Sequence, residues 1–283
     1  MRAGNAFLHK QSAAIWALLA ALTLGLPFPA SAGPINTDVA LTPPKGGNIF
    51  RLRYSYAEAG ARRNIRHVNA SGVRGTYVYG LKENMTLSLS VPYMNKQVDV
   101  VMPKLGRIEK AHDGIGDITF TTKYRFWQND TRPGETLRWA ALGGINLRSG
   151  DSDFSSDSYD PIAGTVFSWQ RDRGWLDADL VYQFNTGGGE FRHDTLRYDV
   201  SYSYRVYPEV YQDENAWEID VVGELNGRYT TDGSHEVFLS PGLQLITERW
   251  FVEASIQLPV IQDLPGDEPE TNYRLVLSLR FQW

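Results

Sequence analysis

The chain has 283 residues, 28 Lys plus Arg against 33 Asp plus Glu, and no cysteine, which excludes disulfides, thiolate zinc sites, iron–sulfur clusters and a cysteine nucleophile. A mean hydropathy of −0.35 excludes a bundle of transmembrane helices, each of which needs about 20 nearly uninterrupted apolar residues. A pI near 5.6 leaves no basic footprint for nucleic acid, and 12% aromatic residues do not fit a disordered polar tract.

The first element is a targeting segment. Arg2, His9 and Lys10 precede an apolar run over 13–22 that continues to Leu26, Pro27 and Pro29 break it, and Ala30-Ser31-Ala32 supplies a small-residue cleavage site. A basic start, a short apolar core and an A-x-A cut describe a secretory signal peptide over residues 1–32. The alternative is a retained anchor, which the short run and its prolines disfavour. No cysteine follows the cut, so lipoprotein anchoring is excluded, and the mature 251 residues carry a net charge of −7. Residues 33–48 contain prolines and glycines and form a periplasmic N-terminal segment, which either enters the fold of the later chain or trails from it.

From residue 49 onward the pattern has a period of two. Over 117–128 the even positions are Ile118, Phe120, Thr122, Tyr124 and Phe126, against Asp117, Thr119, Thr121, Lys123 and Arg125. Over 195–207 Leu196, Tyr198, Val200, Tyr202, Tyr204 and Val206 alternate with Arg197, Asp199, Ser201, Ser203 and Arg205. Strict alternation marks strands with one apolar and one polar face. Twelve such segments occur: 49–58, 70–81, 85–94, 116–128, 136–148, 161–170, 175–185, 195–207, 216–229, 235–247, 250–262 and 272–283. The sixth is the weakest, because Ile162, Val166, Phe167 and Trp169 hold no single phase; Pro241 in the tenth removes a ladder hydrogen bond and suggests a bulge.

Connections alternate in length. Residues 82–84, 129–135, 171–174, 208–215 and 248–249 form short ones, whereas most of 59–69, 95–115, 149–160, 186–194, 230–234 and 263–271 are longer. An even strand number, short turns at one end and long loops at the other describe a Gram-negative outer-membrane β-barrel, all-β, antiparallel and up-and-down, over 49–283. A soluble β-sandwich shares the period of two. Two features favour the membrane: Trp and Tyr, 23 in all, gather near segment ends as interfacial girdles do, and residues 273–283 alternate apolar side chains up to Phe281 and Trp283. That C-terminus resembles the signal that barrels present to their insertion machinery. Outer-membrane lipids and that machinery are therefore the expected macromolecular partners.

In such a barrel the charged face lines the lumen. Segments one to five point Arg51, Arg53, Arg74, Lys123, Arg125, Arg138 and Arg148 inward against Asp117. Later segments contribute Asp177, Asp179, Asp199, Glu218, Asp220, Glu224, Glu236 and Glu253 against Arg197, Arg205 and Arg228, while Arg274 and Arg280 return to the basic side across the closure. A basic wall thus faces an acidic one, with these residues as selectivity candidates. Twelve strands lie between side-chain-filled eight-stranded barrels and open sixteen-stranded porins, so an open pore and a salt-bridged plug both remain.

Tyr77-Val78-Tyr79-Gly80-Leu81-Lys82-Glu83-Asn84-Met85, continuing to Ser90-Val91-Pro92-Tyr93, and Asp113-Gly114-Ile115-Gly116-Asp117-Ile118 with Lys123-Tyr124-Arg125, resemble the MetA-pathway of phenol degradation family of outer-membrane proteins. The resemblance covers most of the mature chain in pattern and implies a barrel that passes small, often aromatic, molecules.

Chemistry-bearing clusters are few. His67, His112, His193 and His235 fall in or beside long loops, and Ser152, Ser155, Ser156 and Ser158 have no histidine nearby in sequence. A lipid-modifying enzyme would need a base beside one of those serines. The Asp-rich run 151–160 has oxygen ligands suited to calcium but lacks EF-hand spacing, and Gly187-Gly188-Gly189 is a loop tip rather than a phosphate cradle. The sequence therefore points to no catalytic residue, metal or cofactor. It points to passive uptake of small solutes, with an enzyme or an adhesive barrel acting through its loops as the alternatives.

Overall fold

The structure is a computed structural model that describes residues 33–60, 65–102, 106–187, 193–210, 217–266 and 268–283. The targeting segment 1–32, Gly188 and Gly189 lie outside the described residues.

Thirteen strands are formed: β1 (Asn48–Ala59), β2 (Ile65–Lys82), β3 (Met85–Met102), β4 (Gly106–Ile115), β5 (Thr119–Arg132), β6 (Glu135–Asn146), β7 (Asp160–Arg171), β8 (Gly174–Gln183), β9 (Thr195–Tyr207), β10 (Glu218–Thr230), β11 (His235–Ile246), β12 (Trp250–Asp263) and β13 (Thr271–Gln282). Each pairs antiparallel with its sequence neighbour from β5 to β13; β13 pairs with β1, β1 with β2, β2 with β3, and β3 with β5. This closes a ring of twelve, with β4 as an extra strand hydrogen-bonded to the outer half of β3. Closure leaves no barrel strand with an open edge, as hydrocarbon requires.

The burial pattern is inverted relative to a soluble protein. Among the described residues only 12 hydrophobic residues are buried, against 24 polar or charged ones. Leu225 lies opposite Leu239, which lies opposite Leu258, and all three are exposed on the outer face. Their strand neighbours Glu224, Ser240 and Gln257 point inward. A sandwich would seal the leucines and wet the carboxylates, so the outer face is the lipid face. Aromatic side chains ring the short-turn end, with centroids 5.0 Å apart for Tyr207–Trp217, 5.7 Å for Phe281–Trp283 and 5.8 Å for Trp139–Phe167.

Three details differ from the sequence reading. The expected loop 95–115 is strand in its described parts: β3 runs on to Met102 and β4 pairs back along it, so that β4 and β5 follow each other along β3 with a break at 116–118. Alternation fails to mark it because the exposed Lys96, Glu109, Lys110 and Asp113 interrupt the apolar positions and leave neither face consistently apolar. The weak sixth segment pairs in unbroken register on both sides as β7, because neighbouring strands supply the order its own sequence lacks. Pro241 makes no bulge either. The β11–β12 register shifts between Val237 and Phe238, and pairing keeps one register on both sides of Pro241.

Candidate solute pathway

Residues 33–43 run inside the barrel before β1 begins. Their backbone is held from both sides. The amides of Asn36 and Thr37 donate to the Glu224 carboxylate at 2.9–3.0 Å, the Asp38 amide donates to Asp179, and the Ala40 amide donates to Ser168 Oγ. On the opposite side Arg51 donates to the Ile35 carbonyl at 2.7 Å, Arg53 donates to the same oxygen, and Lys123 Nζ donates to the Val39 carbonyl at 2.6 Å. Peptide N–H groups thus meet the acidic wall and carbonyls the basic one, so the transverse charge asymmetry satisfies an otherwise unpaired backbone. Ile35 packs with Val222 and Val276, and Ala40 with Ala140 and Val166, the small apolar seams of the lumen. Where the segment leaves the lumen the Pro44 carbonyl lies so close to Gly80 that a Cβ there would meet it at 2.0 Å, which gives the tyrosine–glycine strand end a structural reason.

The ring order puts β13, β1, β2, β5 and β6 on one half and β8 to β12 on the other. Of the expected lumen residues, Arg51 and Arg280 converge on Glu253 at 2.6 and 2.7 Å, and Gln244 adds a third donor at 3.0 Å. Arg274 pairs with Glu236 at 3.1 Å over the Phe238 ring, and Lys123 pairs with Asp38 at 3.1 Å. Asp177 accepts from Ser168, and Arg205 lies 3.8 Å from Glu218 on the strand beside Asp220. Arg125 and Arg138 sit toward the short turns, donating to the Glu83 carbonyl and to Gln170. Arg148 is not in the wall: β6 ends at Asn146, and Arg148 sits on the following loop beside Asp157. Arg197, named from the sequence as an inward cation of the acidic half, lies among Asp38, Asp179 and Asp199.

Three cavities share lining residues in succession. One of about 390 Å³ lies among the long loops and includes Ser156 and Arg228. One of about 290 Å³ above Asn36 includes Arg228, Arg74 and Arg197. The third, about 600 Å³, follows residues 34–43 along the basic side and reaches Ile49, Val78 and Thr86 near the short turns. The strand break caps this path. Burial opposes ionisation of Asp117, but the amides of Ser156, Gly150 and Ser149 and the Ser155 hydroxyl hold its carboxyl down at about 2. Asp117 thereby pins the loop 147–159 over the lumen. The Asp-rich run is divided among separate partners: Asp151 accepts from the Ile115 amide, Asp153 pairs with His112 and Asp157 with Arg148. No group of three or more potential metal ligands occurs among the described residues. Ser155 and Ser156 share the outer cavity with His193, but their hydroxyls donate to Asp117 and to the Ser158 carbonyl.

The sequence signal missed was the role of Asn36, Thr37 and Asp38. Nothing local distinguishes them from a trailing linker. Only the two charged walls that receive them do.

Residues 56–260 match the profile of the family described as "Putative MetA-pathway of phenol degradation", most of the length of the chain. The chain belongs to this family. Among solved structures, the fold is similar to that of an outer membrane channel from Pseudomonas putida F1, with a TM-score of 0.61 at 14% identity over 89% of this chain and 100% of that one. It is also similar to the NanC porin, with a TM-score of 0.50 at 12% identity over 82% of this chain and 98% of that one. No curated protein matches the sequence. Likeness at this identity carries the fold alone, an outer-membrane β-barrel.

Proposed function

We propose that this member of the phenol-degradation family is a passive outer-membrane channel for small solutes, aromatic compounds among them. The observation that carries this is the succession of three cavities running from the loop end past the N-terminal segment on the basic side. A solute on that path crosses the field between Arg51, Arg53, Arg74, Lys123, Arg125 and Arg138 and the carboxylates of β8 to β12, which sets what passes. Removal of the signal peptide, short turns facing the periplasm, and recognition of Phe281 and Trp283 by the insertion machinery complete the reading. The family description supports it, as does the shared fold with the Pseudomonas putida protein, itself a channel. It assigns the chain no catalysis; of the loop serines, Ser155 and Ser156 beside His193 spend their hydroxyls on Asp117 and the Ser158 carbonyl.

The test is conductance of the purified mature barrel in planar bilayers, with liposome swelling in small aromatics and sugars. Measurable conductance is expected, and Arg53→Glu should move the reversal potential toward cation preference. No conductance and no swelling would end the channel reading. Turnover of added lipid, abolished by changing one loop serine, would replace it with the enzyme alternative.

A further inference from the structure

Two pairs of arginines oppose each other directly across strands: Arg53 and Arg74 on β1 and β2, Arg197 and Arg228 on β9 and β10. Like charges directly opposite in an antiparallel pair are destabilising, so each pair needs a compensating reason. β2 and β9 lie six positions apart around the ring of twelve, on facing walls. All four arginines, with Arg274, line the one cavity of about 290 Å³ above Asn36.

Compensation within the chain is partial. Arg197 is balanced by Asp38, Asp179 and Asp199, and Arg274 by Glu236. Arg53 rests on the neutral Ile35 carbonyl. Glu236 also lies opposite Arg228 across β11, but its carboxylate is turned to Arg274. Among the described residues the guanidinium groups of Arg74 and Arg228, both on exposed side chains, make no hydrogen bond or ion pair. The cavity therefore presents two unanswered guanidinium forks, one on each wall. The rest of its lining includes Pro92, Met94, Phe238 and Val276. Phosphate or sulfate would satisfy the arginines and leave that apolar surface unused.

We propose that this cavity is a binding site for a small organic anion, a carboxylate carried on an apolar or single-ring body, gripped by Arg74 and Arg228. Guanidinium forks match a carboxylate bidentately, and the volume of about 290 Å³ falls just below the roughly 300–1,000 Å³ of ligand pockets, which limits the body to about one ring. The proposal rests on the channel reading and names the solute class that the pathway selects.

Titration calorimetry of the mature barrel in non-ionic micelles tests it, with benzoate as probe against benzyl alcohol and inorganic phosphate. Saturable benzoate binding is expected, at least tenfold tighter than either comparison. Arg74→Gln and Arg228→Gln should each weaken it by about tenfold to a hundredfold, the loss of one charge-assisted contact. Arg74→Lys should keep part of the affinity, and Arg132→Gln in the β5–β6 turn should keep all of it. Unheated gel mobility verifies that each variant is a closed barrel. Equal binding of benzoate and benzyl alcohol, or wild-type affinity in both Gln variants, overturns the site. Phosphate binding as tight as benzoate reduces it to a simple anion site and overturns the organic ligand. A barrel that binds benzoate but passes no current would support this site and remove the channel reading; a conducting barrel without benzoate affinity would do the reverse.

Discussion

Replacing Glu224 with Gln should loosen the N-terminal segment by an amount that its contacts define. The carboxylate is 1% exposed and accepts the amides of Asn36 and Thr37, besides the Asn36 side chain. Gln keeps one acceptor oxygen, turns an N–H₂ toward an N–H donor and removes the charge. Losing one charge-assisted bond and the charge component of a second amounts to about 2–5 kcal/mol. That corresponds to a roughly 30-fold to 4,000-fold rise in the released population. Because the chain has no cysteine, Thr37→Cys provides a single reporter. Thr37 is 5% exposed and its hydroxyl has no partner, so the reporter removes no hydrogen bond. Maleimide labelling of T37C, slow while the segment is seated, follows the opening equilibrium when reclosing outpaces reaction. Glu224→Gln in that background should speed labelling by the same factor. An unchanged rate in a barrel that still runs as folded on an unheated gel would refute the anchoring role. A T37C rate equal to that of a free thiol in the parent would refute the seated segment altogether.

Other outcomes rest on the same geometry. Leu239→Arg, with Leu225 and Leu258 beside it, should lower unfolding stability in vesicles by about 2–4 kcal/mol, since it puts a charge in lipid; a change within about 0.5 kcal/mol, as at a wetted surface, would contradict the membrane assignment of that face. Asp117 is held at about 2 against a free value of 3.8, so its hold on the loop 147–159 is complete above about pH 4 and fades as pH falls through about 2. Protection of the Ser149, Gly150 and Ser156 amides against hydrogen exchange, taken relative to the intrinsic rate at each pH, should therefore fall over that window, and at neutral pH in Asp117→Asn; identical protection in the variant would refute the latch. Removing residues 281–283 should cut the yield of assembled barrel in the outer membrane, measured by heat-modifiable mobility, with undiminished assembly as the contrary result.

Much of the fold was legible because the β pleat makes alternation a local property. Leu225 and Glu224 declare opposite faces without any neighbour, and so do Tyr202 and Ser203. Where polar residues such as Lys96, Glu109, Lys110 and Asp113 leave neither face consistently apolar, the pattern vanishes and a strand pair reads as a loop. Arg148 breaks the same rule because its strand ends two residues before it, so alternation no longer fixes its direction.

The sequence by itself determined the period of two, the separation of apolar and polar faces, the division of charge between the halves of the chain, and the family. Tertiary structure alone decided that residues 33–43 occupy the lumen, that β3 and β4 extend beyond the ring, and that Arg74 and Arg228 share one cavity. The reason is closure. A side chain's face follows from its own strand, but what stands across the lumen depends on strand number and register summed around twelve strands, and no local window of sequence contains that sum.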